Sequence, residues 1–131
     1  MAKLLICLCK DDEDVSEAAQ LYKSKVDHWY FGARLTGVKT LLKLTRIDEI
    51  IVTAHGNEDE MGNESAGVID VTPKQFAELL TSCNFKGTLY LDICNGYQFG
   101  QKVKQHLKCA GIFGADGATD MQIDLSTHKR C

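Results

Sequence analysis

The amino-acid sequence predicts an α/β fold, a three-layer sandwich in which a mostly parallel sheet of about five strands lies between helices. Three observations carry this. Short, unbroken apolar runs bounded by charge or glycine recur along the chain, as expected of strands buried on both faces. Between them stand segments whose apolar residues are spaced by three and four, as expected of helices that cover a sheet with one stripe. Their alternation implies βαβ units with right-handed crossovers and therefore parallel neighbours. The chain has 131 residues, so residues 1–131 read as a single domain, long enough to bury a sizeable core.

The elements follow in order. Leu4, Leu5, Ile6, Cys7, Leu8 and Cys9 form the first strand. Asp14 or Ser16 caps a helix carrying Ala18, Ala19, Leu21, Tyr22 and Val26 on its apolar stripe, with acids at its start that suit the helix dipole. Residues 29–35 are aromatic and β-favouring but interrupted by Gly32, and Thr36-Gly37 reads as a turn before a short helix through Val38, Leu41, Leu42 and Leu44. Ile50, Ile51 and Val52 centre a β-branched strand over 47–53 that ends in Ala54-His55-Gly56. Residues 57–66 read as a polar, acidic, solvated loop, and 67–71 as a small strand excursion. Thr72 caps a helix with Pro73 in its first turn and Phe76, Leu79 and Leu80 on one face. Residues 88–93 are another apolar strand, ending at Cys94-Asn95-Gly96. A helical pattern over 99–107 and a last short strand over 110–113 complete the assignment, and residues 119–131 match no element.

The net charge is −3 with mixed signs along the chain, which argues against nucleic acid and anionic lipid as partners. No apolar stretch approaches the ~18 residues needed to span a membrane, and the first apolar run is too short and too acidic in its flank for a signal peptide. The expected setting is therefore cytoplasmic. Six cysteines would suggest a disulfide framework in a small secreted chain; in this setting they are expected to be reduced, most of them acting as small buried hydrophobes.

In an open parallel sheet, ligands bind beyond the carboxyl ends of the strands. Two strands deliver a reactive side chain followed closely by glycine at that edge, His55-Gly56 and Cys94-Asn95-Gly96. If these strands are neighbours, about 4.8 Å apart, an imidazole and a thiol share one substrate carbonyl. That is the arrangement of nucleophilic acyl transfer, with a thiolate attacking and an imidazole moving protons. The helix start after Asn95 favours the thiolate, and the glycines bring bare amides to the developing oxyanion.

The apolar block ending in Ala54-His55-Gly56, followed 39 residues after the histidine by Asp92-Ile93-Cys94-Asn95-Gly96, resembles the paired signature of the caspase-like cysteine peptidases, clan CD, nearest their clostripain and CHAT branches. Residues 35–40 resemble the helix entry of the CHAT branch more faintly. The resemblance implies a thiol protease, with His55 in the place of the catalytic histidine and Cys94 in that of the nucleophile. Gly56 and the Cys94 amide fall where the family forms its oxyanion hole. Asp92 is similar to the acid that, in the clostripain-like branch, binds a basic residue, which implies cleavage after Arg or Lys. The substrate implied is a peptide or protein, and no cofactor is implied.

The sequence also departs from the pattern. Ile93 is bulky where the family usually has a small residue. The chain ends soon after its fifth predicted strand, where the family generally adds another strand and loops. That leaves three readings open: a partner chain or oligomer completes the pocket, the pocket is incomplete, or the chain is a catalytically inactive caspase-like scaffold acting through protein contacts. A flavodoxin-like ligand-binding domain is disfavoured, because no phosphate loop follows the first strand. Cys7 and Cys9 lack a second pair at ligand spacing, so no metal site is expected. His28, His106 and His128 are expected to be solvated, and Asp116 reads as an ordinary turn residue.

Overall fold

The computed structural model describes residues 2–9, 13–32, 35–44, 46–63, 68–118 and 123–131. Strands β1 (Lys3–Cys7), β2 (His28–Phe31), β3 (Glu49–Thr53), β7 (Thr88–Asp92), β8 (Gly111–Gly114) and β9 (Lys129–Arg130) form one six-stranded sheet in the order β2-β1-β3-β7-β8-β9. All its pairings are parallel except β8 with β9. A second sheet, β4 (His55–Gly56), β5 (Met61–Asn63) and β6 (Val68–Val71), is antiparallel and grows out of the end of β3. Helices α1 (Glu13–Tyr22), α2 (Thr36–Leu44), α3 (Pro73–Ser82) and α4 (Gly96–Lys104) connect the main strands. The architecture is the expected α/β sandwich, with one strand more in its main sheet. No helix among the described residues is long and apolar enough to cross a membrane.

The central strands form where β-branched and leucine runs leave no polar face. Leu4, Leu5, Ile6, Ile50, Ile51, Val52, Leu89 and Leu91 are all fully buried, so helices must cover both sides. Alternation then sorts the neighbours. Ile6, Val52 and Leu91 share one register row and one face. Tyr30 extends that row onto β2 and packs against Gly37 of α2, while Leu91 lies against Gly100 of α4. The opposite face carries Leu5, Ile51 and Tyr90. There Tyr22 of α1 lies close enough to Glu49, Tyr90 and Asp92 to feel their charge, with burial the larger cause of its raised proton affinity. Helix α3 is fixed at its start by a capping box in which the Thr72 hydroxyl accepts the Gln75 N–H at 3.2 Å and the Gln75 side chain accepts the Thr72 N–H at 3.0 Å.

Several sequence expectations need correction. Thr36-Gly37 is the first turn of α2 rather than a turn before it. Helix α1 gives way after Tyr22 to a 3₁₀ turn, Lys23–Lys25, leaving Val26 outside. Helix α4 begins at Gly96, three residues earlier than its apolar pattern, because only glycine fits there: a Cβ would come within 2.3 Å of the Leu91 carbonyl oxygen. The segment over 57–66 is not all solvated loop, since Met61 is fully buried in β5. Within the unassigned tail, a 3₁₀ turn, Leu125–Thr127, leads into β9, while residues 119–122 lie outside the described residues. Of the cysteines, Cys7 and Cys9 are buried and the other four half-buried.

Candidate active site

The register of the central sheet assembles the candidate site. β1, β3 and β7 are neighbours whose last residues Cys7, Thr53 and Asp92 stand side by side. Cys9, His55 and Cys94 each follow two residues later, so the same step beyond three adjacent strand ends places them along one edge. The sequence-derived pair thus sits on neighbouring strands, as the acyl-transfer reading requires. Gly56 and Ile93 bring the two segments into contact: a Cβ on Gly56 would lie 2.9 Å from Ile93 Cδ1 and 3.0 Å from its Cβ. His55 and Cys94 are both half-buried, screened but reachable.

Each side of the site has its own support. On the histidine side, the His55 backbone N–H donates to Cys9 Sγ at 3.1 Å, and the Cys9 thiol donates to the Gly62 carbonyl at 3.1 Å. Cys9 is therefore a buried tie between the end of β1 and the β4–β5 hairpin. The hairpin turn is closed by Asn57, whose side-chain oxygen accepts the N–H of Asp59 and of Glu60, and Asp59 forms an ion pair with Lys102 of α4. The acidic turn next to His55 is thus linked to the helix that starts next to Cys94.

On the cysteine side the chain makes a tight elbow. Asn95 adopts φ +59°, in the left-handed region that asparagine tolerates better than most residues. The Gly96 N–H reaches back to the Ile93 carbonyl at 3.0 Å. Two further bonds tie the elbow to the loop after β8, from Asn95 N–H to Gly117 O at 2.7 Å and from Tyr97 N–H to Ala115 O at 2.9 Å. Gly114 admits this approach, because a Cβ there would fall 2.2 Å from the Gly96 carbonyl carbon. Cys94 consequently sits just ahead of the first turn of α4, at the positive end of the helix dipole.

Asp92 is placed differently from the expectation of a substrate-facing acid. Its side chain is only 6% exposed, and Oδ1 accepts a hydrogen bond from His128 Nε2 at 2.9 Å. His128, expected to be solvated, has a side chain that is 0% exposed. Sequence reasoning missed it because it lies in a short charged stretch, whose extended backbone turns this residue inward next to Tyr90. Asp116 is exposed and accepts from Gln98 Nε2 at 2.7 Å, as befits a turn residue. A cavity of about 520 Å³ with Lys43, Arg46, Phe85 and Lys86 in its wall opens at the amino ends of β3 and β7, away from this edge. No family model matches the chain, and comparison with curated proteins finds no match.

Proposed function

We propose that the chain is a caspase-like cysteine endopeptidase of the cytoplasm, with Cys94 as nucleophile and His55 as general acid and base. The observation that carries the proposal is the register: His55 and Cys94 lie at equal steps past the ends of adjacent parallel strands, and Gly56 touches Ile93. The Cys94 thiolate attacks the peptide carbonyl carbon, forming an S–C bond while the carbonyl electrons move to oxygen. The amides of Gly56 and Cys94 face that oxyanion in this reading. Collapse breaks the C–N bond, and imidazolium at His55 gives its proton to the departing amine. Water then hydrolyses the thioester, His55 taking its proton, and Cys94 is released.

The buried bond to His128 uses an oxygen of Asp92 that a selector of basic residues would offer to substrate. The proposal therefore assigns the dyad first and leaves cleavage after Arg or Lys to the experiment. Fluorogenic peptides ending in Arg, Lys, Asp, Asn or Leu, offered under reducing conditions, should be hydrolysed by the wild type and not by Cys94→Ala. Preference for Arg or Lys would restore Asp92 as the selector, and cleavage after another residue would keep the dyad without it. Absence of turnover on all five would favour the non-catalytic scaffold, for which the internal satisfaction of Asp92 already speaks.

A further inference from the structure

We propose that the Asp92–His128 hydrogen bond is a positioning device for the nucleophile, through which the C-terminal segment sets the elbow that carries Cys94. The inference rests on the peptidase reading for its kinetic readout, but its chemical readout, the reactivity of Cys94, is independent of turnover.

The pair is not what packing alone would place there. Its register neighbours are Thr53 and Cys7, both uncharged, and a leucine at position 92 would complete the strand without desolvating a carboxylate. Burying an acid beside an imidazole gains little stability over apolar replacements of similar volume. Moreover, His128 Nδ1 is buried and has no hydrogen-bond partner among the described residues. The ring is therefore desolvated for the one bond it makes, the bond to Asp92.

The connections of the segment show what that bond does. The elbow over 93–97 hangs between two strand ends, continuing from Asp92 of β7 and tied by backbone bonds to Ala115 and Gly117 just past β8. The C-terminal segment fastens both ends. Its backbone pairs with β8, Phe113 with Arg130 and Gly114 with Lys129, and its His128 side chain grips the last residue of β7. Cys94 is separated from Asp92 only by Ile93, which is fully buried and itself pressed against Gly56 of the histidine side. A shift at Asp92 is thus passed to the thiol and to its spacing from His55, where displacements of about 1 Å can change rates a hundredfold.

The test uses His128→Leu, His128→Gln, His128→Asn and the double variant Asp92→Leu/His128→Leu. It measures the carboxamidomethylation rate of Cys94 at neutral pH, kcat and KM for peptide hydrolysis, and the thermal midpoint. A glutamine amide reaches the place of Nε2, so His128→Gln should behave as wild type. An asparagine amide stops near Nδ1, so His128→Asn should label slowly, as should His128→Leu. The double variant should regain the stability lost in His128→Leu, yet label Cys94 about tenfold more slowly and lose about a hundredfold in kcat with KM little changed. A double variant of wild-type stability that also labels and turns over as wild type would show a purely structural pair and overturn the proposal. If the double variant does not fold, equal rates for the glutamine and asparagine variants overturn it instead. Selective labelling of wild-type Cys94 without turnover would sink the peptidase reading alone, whereas a wild-type Cys94 no more reactive than Cys83 would sink both.

Discussion

Cys94 and Cys131 are both half-buried and both belong to the surroundings of α4, but they meet different parts of the helix. Cys94 stands ahead of its first turn, in the elbow whose amides bond the Ile93, Ala115 and Gly117 carbonyls. Cys131 lies against its flank, where its Sγ occupies the space a Cβ on Gly100 would need and its thiol donates to the Tyr97 carbonyl at 3.5 Å. Burial pushes the Cys131 thiol up to about 11, with Lys104 opposing the shift, and burial raises Cys109 in the same way. The same residue type thus stands at a helix start in one place and against a carbonyl acceptor with little water in the other. What a thiol can do depends on its place along the helix as well as on its burial.

The comparison breaks most severely through glycine. Gly114→Ala sets a Cβ 2.2 Å from the Gly96 carbonyl carbon and 2.4 Å from Tyr97 N, all backbone that must move. We expect a loss of about 3 kcal/mol in urea unfolding, with slower labelling of Cys94 in the folded fraction. Gly100→Ala meets the side-chain atom Cys131 Sγ at 2.5 Å and Ile112 Cγ2 at 3.0 Å. A side-chain sulfur can yield more readily than backbone, and alanine adds about 1 kcal/mol of helix propensity, so the net change should be smaller and Cys131 rather than Cys94 should become easier to label. The reverse order of the two effects would mean that the elbow is softer than the flank.

A smaller effect sharpens the flank side. Because the folded state raises the Cys131 proton affinity from 9.0 to about 11, the thiol's contribution to stability is complete below pH 9 and is lost as the pH rises from there to about 11. Urea midpoints should fall more steeply over that interval in wild type than in Cys131→Ala. Cys109, shifted in the same direction, leaves some slope in both. Equal slopes would contradict the assignment of burial as the cause.

Which parts of this were legible in the sequence depends on whether side chains or backbone determine them. The runs around Leu5, Ile51 and Leu89 announce themselves because strands buried on both faces are mostly apolar, and their ends pointed directly to His55 and Cys94. The spacing two residues past a strand end, shared by Cys9, was present in the sequence too, but only the pairing of β1 with β3 gives it meaning. The β4–β5 hairpin is built from His55, Gly56, Met61, Gly62 and Asn63, a set with no periodicity, and is held by backbone pairing together with the distant Cys9 and the turn residue Asn57. Strand β9 is two exposed basic residues held by the free edge of β8, and nothing in Lys129 and Arg130 favours a strand. His128 was hidden for the same reason: its burial follows from where β9 pairs, which composition does not reveal.

The most direct test of the strand-end dyad is a time course of iodoacetamide labelling at neutral pH, read cysteine by cysteine by mass spectrometry, on the wild type and on His55→Ala. The account predicts that Cys94 is labelled well before Cys83, Cys109 and Cys131, and that its lead shrinks when the imidazole is removed. Labelling of all four half-buried cysteines at one rate, unchanged by His55→Ala, would contradict it.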